Sequence, residues 1–245
     1  ALWTLVAMPV QAVMLLLPVP VKAWTARFYW RGIARILGLR LRVIGRLETV
    51  RPVLFVANHS SWLDIVALGA VLPGCFVAKG DVAHWPVINW VARLGRSIFV
   101  SRNRATVARE QKELQHRLEM RDNIILFPEG TTSDGNRVLP FAPAFLALAD
   151  APAKPRIQPV TLVYDEIEGL PVHAGDRPTI AWYGDMDLGP HFWALAKRRS
   201  LRATIVLNEA IAPGHYPNRK LLSAALETRI AANAAALRQG RLPVL

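Results

Sequence analysis

The chain has 245 residues, enough for one sizeable domain with an appended segment but short for two independent domains. Thirty Lys and Arg against eighteen Asp and Glu give a formal net charge of +12, so the surface should attract nucleic acid or an anionic lipid leaflet. The hydrophobic fraction of 52% and the absence of zinc-finger, RNP-like or basic-zipper patterns favour the leaflet and argue against nucleic acid. The single cysteine, Cys75, excludes an intrachain disulfide and a multi-cysteine metal site.

Residues 1–48 are predicted to form a membrane-associated helical segment. Residues 2–21 carry no charge and approach the length of a bilayer-spanning helix, although three prolines interrupt them. The next stretch places Arg27, Arg31 and Arg35 on one helical face, opposite aromatic and aliphatic side chains, which is typical of an interfacial helix. A core helix with a solvated basic face is the alternative, and the choice between spanning and lying in the interface stays open. The positive-inside rule predicts that the remainder faces the cytoplasm at the inner membrane.

The remaining residues, 49–245, are predicted to form one catalytic domain. Continuous apolar runs rich in β-branched residues indicate strands that are covered on both faces. The predicted strands are 53–57, 97–100, 124–127, 157–164, 179–183 and 203–207, and the predicted helices are 106–121, 141–149 and 219–239. Strands that alternate with helices imply an α/β layered domain with a largely parallel sheet.

Polar residues crowd the end of the first of these strands, in the sequence VLFVANHSSWLD. A His at a strand end can bond an Asp in the first turn of the next helix, which leaves its other ring nitrogen free as a base. His59 and Asp64 are therefore the candidate catalytic pair, with Asn58 beside them. No G-x-S-x-G elbow is present, so the hydroxyl would come from the substrate, and Ser60 and Ser61 are better interpreted as helix caps. The alternative is a structural histidine capped by the aspartate.

Two further stretches carry candidate binding residues. In NIILFPEGTTSDGNR an apolar run breaks into an acidic residue, a glycine and three hydroxyls, which can line an anion or polyol site. These residues are Glu129, Gly130, Thr131, Thr132 and Ser133. In LGRSIFVSRNR, Arg102 lies at a strand terminus, and Arg is suited to bidentate recognition of phosphate or carboxylate.

Together these stretches resemble the glycerolipid acyltransferase family, which includes the 1-acylglycerol-3-phosphate acyltransferases. NHSSWLD is similar to the catalytic H-x-x-x-x-D block of that family, FVAKGDV and GRSIFVSR to its second block, FPEGTTS to its third and IQPVTLVY to its fourth. The blocks follow in the expected order over roughly residues 50–165. The resemblance implies that His59 and Asp64 are catalytic, and that Asn58, Lys79, Arg102 and residues 129–133 contact the substrates.

One position departs from the phosphate-accepting members of that family. Thr132 stands where they usually carry Arg, which removes a bidentate donor for a phosphomonoester. FPEGTTSDGNRVLPF is similar to lyso-ornithine lipid acyltransferases, which esterify a 3-hydroxyacyl group on an amino-acid lipid. The acceptor therefore stays open between 1-acylglycerol-3-phosphate and lyso-ornithine lipid.

The resemblance also implies a reaction. The acceptor hydroxyl would attack the thioester of acyl carrier protein or acyl-CoA, with no metal, cofactor or covalent acyl-enzyme. Two rivals remain at this point: a non-catalytic peripheral protein that binds a lipid head group at an anionic membrane surface, and an esterase that uses water as the acceptor.

Overall fold

The computed structural model describes residues 2–14, 16–79, 95–100 and 104–245. Its helices are α1 (Leu2–Met14), α2 (Val19–Ile36), α3 (Leu63–Val71), α4 (Arg104–Glu119), α5 (Arg177–Ile180), α6 (Leu188–Ala196) and α7 (Arg219–Arg238), with a 3₁₀ helix at Pro143–Asp150. Its strands are β1 (Leu39–Gly45), β2 (Val53–Ala57), β3 (Cys75–Lys79), β4 (Ile98–Val100), β5 (Ile124–Leu126), β6 (Arg156–Ile167), β7 (Leu170–Pro171) and β8 (Leu201–Leu207).

The strands form one sheet with the order β1-β8-β6-β2-β5-β3-β4, and β7 pairs with β6. Neighbouring strands are parallel except at the β6–β8 and β6–β7 pairs. Apolar side chains of α2 and α3 pack on one face of the sheet, and those of α4, the 3₁₀ helix and α7 pack on the other. The predicted α/β layered fold with a largely parallel sheet is confirmed.

The strand predictions succeed in the centre of the sheet and fail at one later stretch. All five residues of β2 are buried, as its continuous apolarity indicated. The prediction of a strand at 179–183 is wrong, because Pro178 lies in the first turn of α5, where its fixed φ favours a helix. Strands β1, β3 and β7 were not predicted.

The N-terminal apolar run is divided between two helices. Helix α1, which contains Pro9, ends at Met14. Helix α2 begins at Val19 after Pro18 and has a proline in its first turn, where proline is tolerated. Among the described residues, no helix combines the length and the apolarity needed to cross a bilayer. Helix α2 ends at Ile36, and Leu39–Gly45, predicted within the amphipathic stretch, is β1, which pairs with β8. The sheet therefore begins before the predicted domain boundary at residue 48.

Candidate active site

The candidate catalytic residues lie at the carboxyl ends of neighbouring parallel strands. Asn58 and His59 follow β2, and Glu129 follows β5, which pairs with β2 in parallel. Strand β6 lies on the other side of β2, also in parallel. Because the carboxyl ends of parallel strands share one edge of a sheet, the fold brings the NHSSWLD and FPEGTTS motifs together where ligands bind in open α/β sheets.

His59 and Asp64 form the hydrogen-bonded pair that their spacing predicted. Nδ1 of His59 lies 2.8 Å from Oδ2 of Asp64, which is in the first turn of α3. The aspartate side chain is 0% exposed and the histidine side chain is 19% exposed. An ionised carboxylate only accepts hydrogen bonds, so Nδ1 carries the donated proton and Nε2 of the neutral ring keeps a lone pair. This arrangement supplies an accessible base that is oriented by a buried acid.

Three further donors stabilise the carboxylate of Asp64. The backbone N–H groups of Ser60 and Ser61 donate to Oδ2 at 2.6 and 3.0 Å, and the Tyr164 hydroxyl donates to Oδ1 at 2.7 Å. Burial and the adjacent charge of Asp64 raise the pKa of Tyr164 well above 10, so this hydroxyl keeps its proton. These bonds offset the cost of removing the carboxylate from water.

Tyr164 was missed by sequence reasoning. It lies 100 residues after Asp64 in the chain and reaches it from β6 across the sheet. The available signal was a tyrosine in a strand that was predicted to be buried, because a buried Tyr hydroxyl usually finds a polar partner. That signal does not say which polar group the partner is.

Glu129 fixes the loop that carries His59. Its Oε1 accepts the backbone N–H of His59 at 2.7 Å, and its Oε2 accepts that of Leu139 at 2.8 Å. The backbone N–H of Ser133 donates in turn to the C=O of His59 at 2.9 Å. Burial raises the pKa of Glu129 from 4.5 to about 7, although both N–H bonds oppose the shift. A buried carboxylate is costly without a partner, and the partners of Glu129 are backbone N–H groups.

The imidazole ring of His59 is also held in its plane. It stacks on Phe127, with ring centroids 4.0 Å apart and planes inclined by 13°. Phe76 stacks on Phe127 at 6.2 Å. The aromatic column continues into the buried core, so the orientation of the ring is set by packing as well as by hydrogen bonds.

Asn58 and Gly130 have clear structural contacts. The amide of Asn58 donates to the C=O of Leu162 at 2.9 Å and accepts the N–H of Leu162 at 2.8 Å, which continues the pairing with β6 after β2 has ended. Gly130 has φ of +65°, and a Cβ there would lie 2.8 Å from the ring of Phe145. Substrate contact by either residue stays a prediction.

The three hydroxyl residues of FPEGTTS differ in exposure. Thr131 is exposed, Thr132 is half-buried and Ser133 is buried, with its Oγ accepting the N–H of Gly135 at 3.3 Å. Within the described residues the N–H groups of Thr131 and Thr132 have no hydrogen-bond partner. They are therefore free to donate to a ligand at this edge.

The structure describes only part of the two basic residues that were predicted to contact the substrates. Lys79 is the last residue of β3, which pairs in parallel with β5, so its backbone lies at the same edge of the sheet. Arg102 lies outside the described residues. Substrate binding by both residues stays a prediction.

Comparison with known proteins points to one family. The family model described as "Acyltransferase" matches residues 40–163. The lyso-ornithine lipid O-acyltransferase of Rhizobium meliloti is 39% identical over 93% of this chain and 80% of that protein. The 1-acyl-sn-glycerol-3-phosphate acyltransferase of Neisseria meningitidis serogroup B is 35% identical over 70% of this chain and 65% of that protein. The crystal structure of the 1-acyl-sn-glycerophosphate acyltransferase PlsC from Thermotoga maritima matches with a TM-score of 0.67 at 20% identity, over 90% of this chain and 81% of that one.

Proposed function

The chain belongs to the acyltransferase family, and on that premise we propose that it is a lysolipid O-acyltransferase with His59 and Asp64 as its general-base pair. One observation carries the proposal: the 2.8 Å bond between Nδ1 of His59 and Oδ2 of buried Asp64, which leaves Nε2 as the base. Among the described residues no Ser, Thr or Cys side chain forms a hydrogen bond with the ring of His59, which supports an attacking hydroxyl that belongs to the acceptor lipid.

The proposed reaction needs one proton carrier. Nε2 of His59 takes the proton of the acceptor hydroxyl while its oxygen attacks the thioester carbonyl carbon. The tetrahedral intermediate collapses, the carbon–sulfur bond breaks, and the imidazolium returns the proton to the thiolate. The hydrogen-bonded Asp64 stabilises the imidazolium that forms between these steps. The free N–H groups of Thr131 and Thr132 are the candidates to stabilise the oxyanion.

We propose lyso-ornithine lipid as the acceptor, and an acyl thioester of acyl carrier protein or coenzyme A as the donor. Thr132 offers no bidentate donor for a phosphate, which supports an acceptor without a phosphomonoester. The relative from Rhizobium meliloti, which is similar over 93% of this chain, is named for the same acceptor. The donor is supported only by the reaction class.

We also propose that α1 and α2 lie on a membrane surface. Both helices expose large apolar side chains, which are Leu2, Leu5, Val6, Val10, Val13, Val21, Trp24 and Phe28. Arg31 and Arg35 are exposed on α2 as well. Apolar and basic side chains together suit the boundary between acyl chains and anionic head groups.

The activity test uses membranes that contain wild-type protein, His59→Ala, Asp64→Asn or, as a control, His173→Ala, which alters an exposed histidine. A labelled acyl thioester is offered with lysophosphatidate or lyso-ornithine lipid. We expect His59→Ala to lose about 10²–10⁴-fold of the transfer rate, and His173→Ala to keep it. Full activity in His59→Ala would overturn the mechanism.

The product of the same assay tests the acceptor. Label in ornithine lipid supports the proposed acceptor. Label in phosphatidate alone would show that the acceptor is lysophosphatidate instead. Release of free fatty acid without an acceptor would indicate an esterase, and an absence of His59-dependent transfer would favour a lipid-binding protein.

The membrane test compares binding to anionic and neutral vesicles. Replacing Trp24 and Phe28 together by Ser should weaken sedimentation with vesicles, because both are more than half exposed on α2. Trp193→Ser is the matched control, since Trp193 is 65% exposed on α6. Equal loss in both proteins would contradict a specific role of α2.

A further inference from the structure

A small cavity borders the catalytic pair on the side of Asp64. Its lining includes Ser60, Gly135, Tyr164, Arg177 and Arg238. Ser60 donates its backbone N–H to Asp64, and Tyr164 donates its hydroxyl to the other carboxylate oxygen. Two residues that line the cavity therefore bond directly to the carboxylate of Asp64, which orients His59.

Two arginines from different helices meet at this cavity. Arg177 begins α5 and Arg238 ends α7. Arg177 donates to Oδ1 of Asn136 at 3.2 Å, and Arg238 donates to the C=O of Asn136 at 3.0 Å. Arg177 also donates to the C=O of Arg238 at 3.4 Å. A single loop residue thus holds both guanidinium groups side by side.

These contacts leave part of each guanidinium unsatisfied. In the part of the chain that the structure describes, Nε of Arg177 and Nε of Arg238 are buried without a hydrogen-bond partner. Within the same residues neither guanidinium forms an ion pair. Buried donors without acceptors are costly, and native proteins usually satisfy them.

The positive charge of the pair is compensated only in part. Burial and the neighbouring Arg177 lower the pKa of Arg238 to about 10, although Asp134 and Glu129 oppose the shift from a distance. Two cations that are drawn partly out of water and placed together repel one another. An anion between them would offset the repulsion and accept the free N–H groups.

We infer that Arg177 and Arg238 form a binding site for a small anion of carboxylate chemistry beside the catalytic pair. A guanidinium binds a carboxylate through two N–H donors, and the cavity has room only for a small group. The anion has two candidate sources. One is a free anion in solution, and the other is the acceptor, because an N-acylated ornithine keeps a free carboxylate. The second source rests on the proposed function, whereas the first does not.

The test measures thermal unfolding of the purified full chain at constant ionic strength. Sodium isethionate, whose sulfonate group is larger than a planar carboxylate, is replaced by sodium formate or sodium bromide. At about ten times its dissociation constant, a bound anion should raise the Tm by about 3–5 °C. Arg177→Gln and Arg238→Gln should lose this rise. Arg229→Gln, an exposed arginine on the same helix as Arg238, should keep it.

A second arm distinguishes the two sources. A short-chain N-(3-hydroxyacyl)ornithine is compared with its methyl ester in the same unfolding assay. If the acceptor supplies the anion, the acid should raise the Tm of wild type more than the ester does. In the arginine variants the acid and the ester should raise the Tm by the same amount. If the two ligands act alike in wild type while formate or bromide still acts, the source is a free anion.

Crystals of the wild-type protein soaked in bromide give a measurement that needs no variant. An anomalous peak within hydrogen-bond distance of both guanidinium groups supports the site, even where an Arg→Gln variant fails to fold. No rise with any anion and no bromide peak would overturn the inference, as would equal rises in wild type and both variants. None of these readouts requires turnover. If the protein is inactive on lyso-ornithine lipid but still shows a Tm rise that depends on the two arginines, the proposed acceptor is wrong and the anion site is supported.

Discussion

The buried carboxyl of Glu129 should make the folded protein less stable as the pH rises from about 4 to about 8. Its pKa is raised from 4.5 to about 7, chiefly because burial disfavours the charged form. Below the unfolded pKa both states hold the proton. As the pH rises through the folded pKa, the folded state must also ionise, and the stabilising effect of the bound proton is lost. One pKa unit corresponds to about 1.4 kcal/mol, so roughly 3 kcal/mol of unfolding free energy disappears across this window.

Glu129→Gln removes the titration and keeps the shape of the side chain. The free energy of unfolding is measured with urea from about pH 4 to about pH 8 for wild type, Glu129→Gln and the exposed control Glu209→Gln. The stability of wild type relative to Glu129→Gln should fall by roughly 3 kcal/mol over this range, with most of the change between the two pKa values. Its stability relative to Glu209→Gln should show no comparable fall. If the difference in the free energy of unfolding between wild type and Glu129→Gln does not change with pH, the reasoning is refuted.

The remaining predictions concern the support of the site. Tyr164→Phe leaves Oδ1 of buried Asp64 without its hydroxyl donor, so urea unfolding should show a loss of about 1.5–3 kcal/mol, and an unchanged midpoint would contradict the assignment. Gly130→Ala places a Cβ at positive φ against Phe145, so the free energy of unfolding should fall by about 1–2 kcal/mol from the backbone alone. Gly175→Ala is its control, since a Cβ there meets nothing within 4 Å, and equal effects in the two variants would contradict the steric explanation.

The sequence alone predicted the part of the site whose residues are close together in the chain. His59 and Asp64 are five residues apart, and a strand end followed by the first turn of a helix brings such a pair within hydrogen-bond reach. The support of the pair comes from further away. Tyr164 belongs to β6, and its contact with Asp64 depends on β6 lying beside β2, which no spacing in the sequence reveals. The same holds for the bond from the N–H of His59 to Glu129, which are 70 residues apart and meet because β5 lies beside β2.

The errors in the fold have local causes. Strand β1 lies at the edge of the sheet and carries alternating arginines. Because it follows the basic helix α2, it was interpreted as a continuation of that helix. The β-branched and aromatic residues at 179–183 resembled a strand, but Pro178 in the preceding turn starts a short helix instead. Periodicity describes which residues are apolar, whereas proline and pairing partners decide which element they form.

His59 is restrained at four places: its N–H by Glu129, its C=O by Ser133, its ring plane by Phe127 and its Nδ1 by Asp64. A base restrained in this way has little freedom to lose when the reaction begins. The entropic cost of the encounter then falls on the flexible lipid, whose hydroxyl must be brought to a fixed nitrogen. Discrimination among acceptors should accordingly depend on how each lipid can fold its chain and head group around that point, and less on rearrangement of the protein.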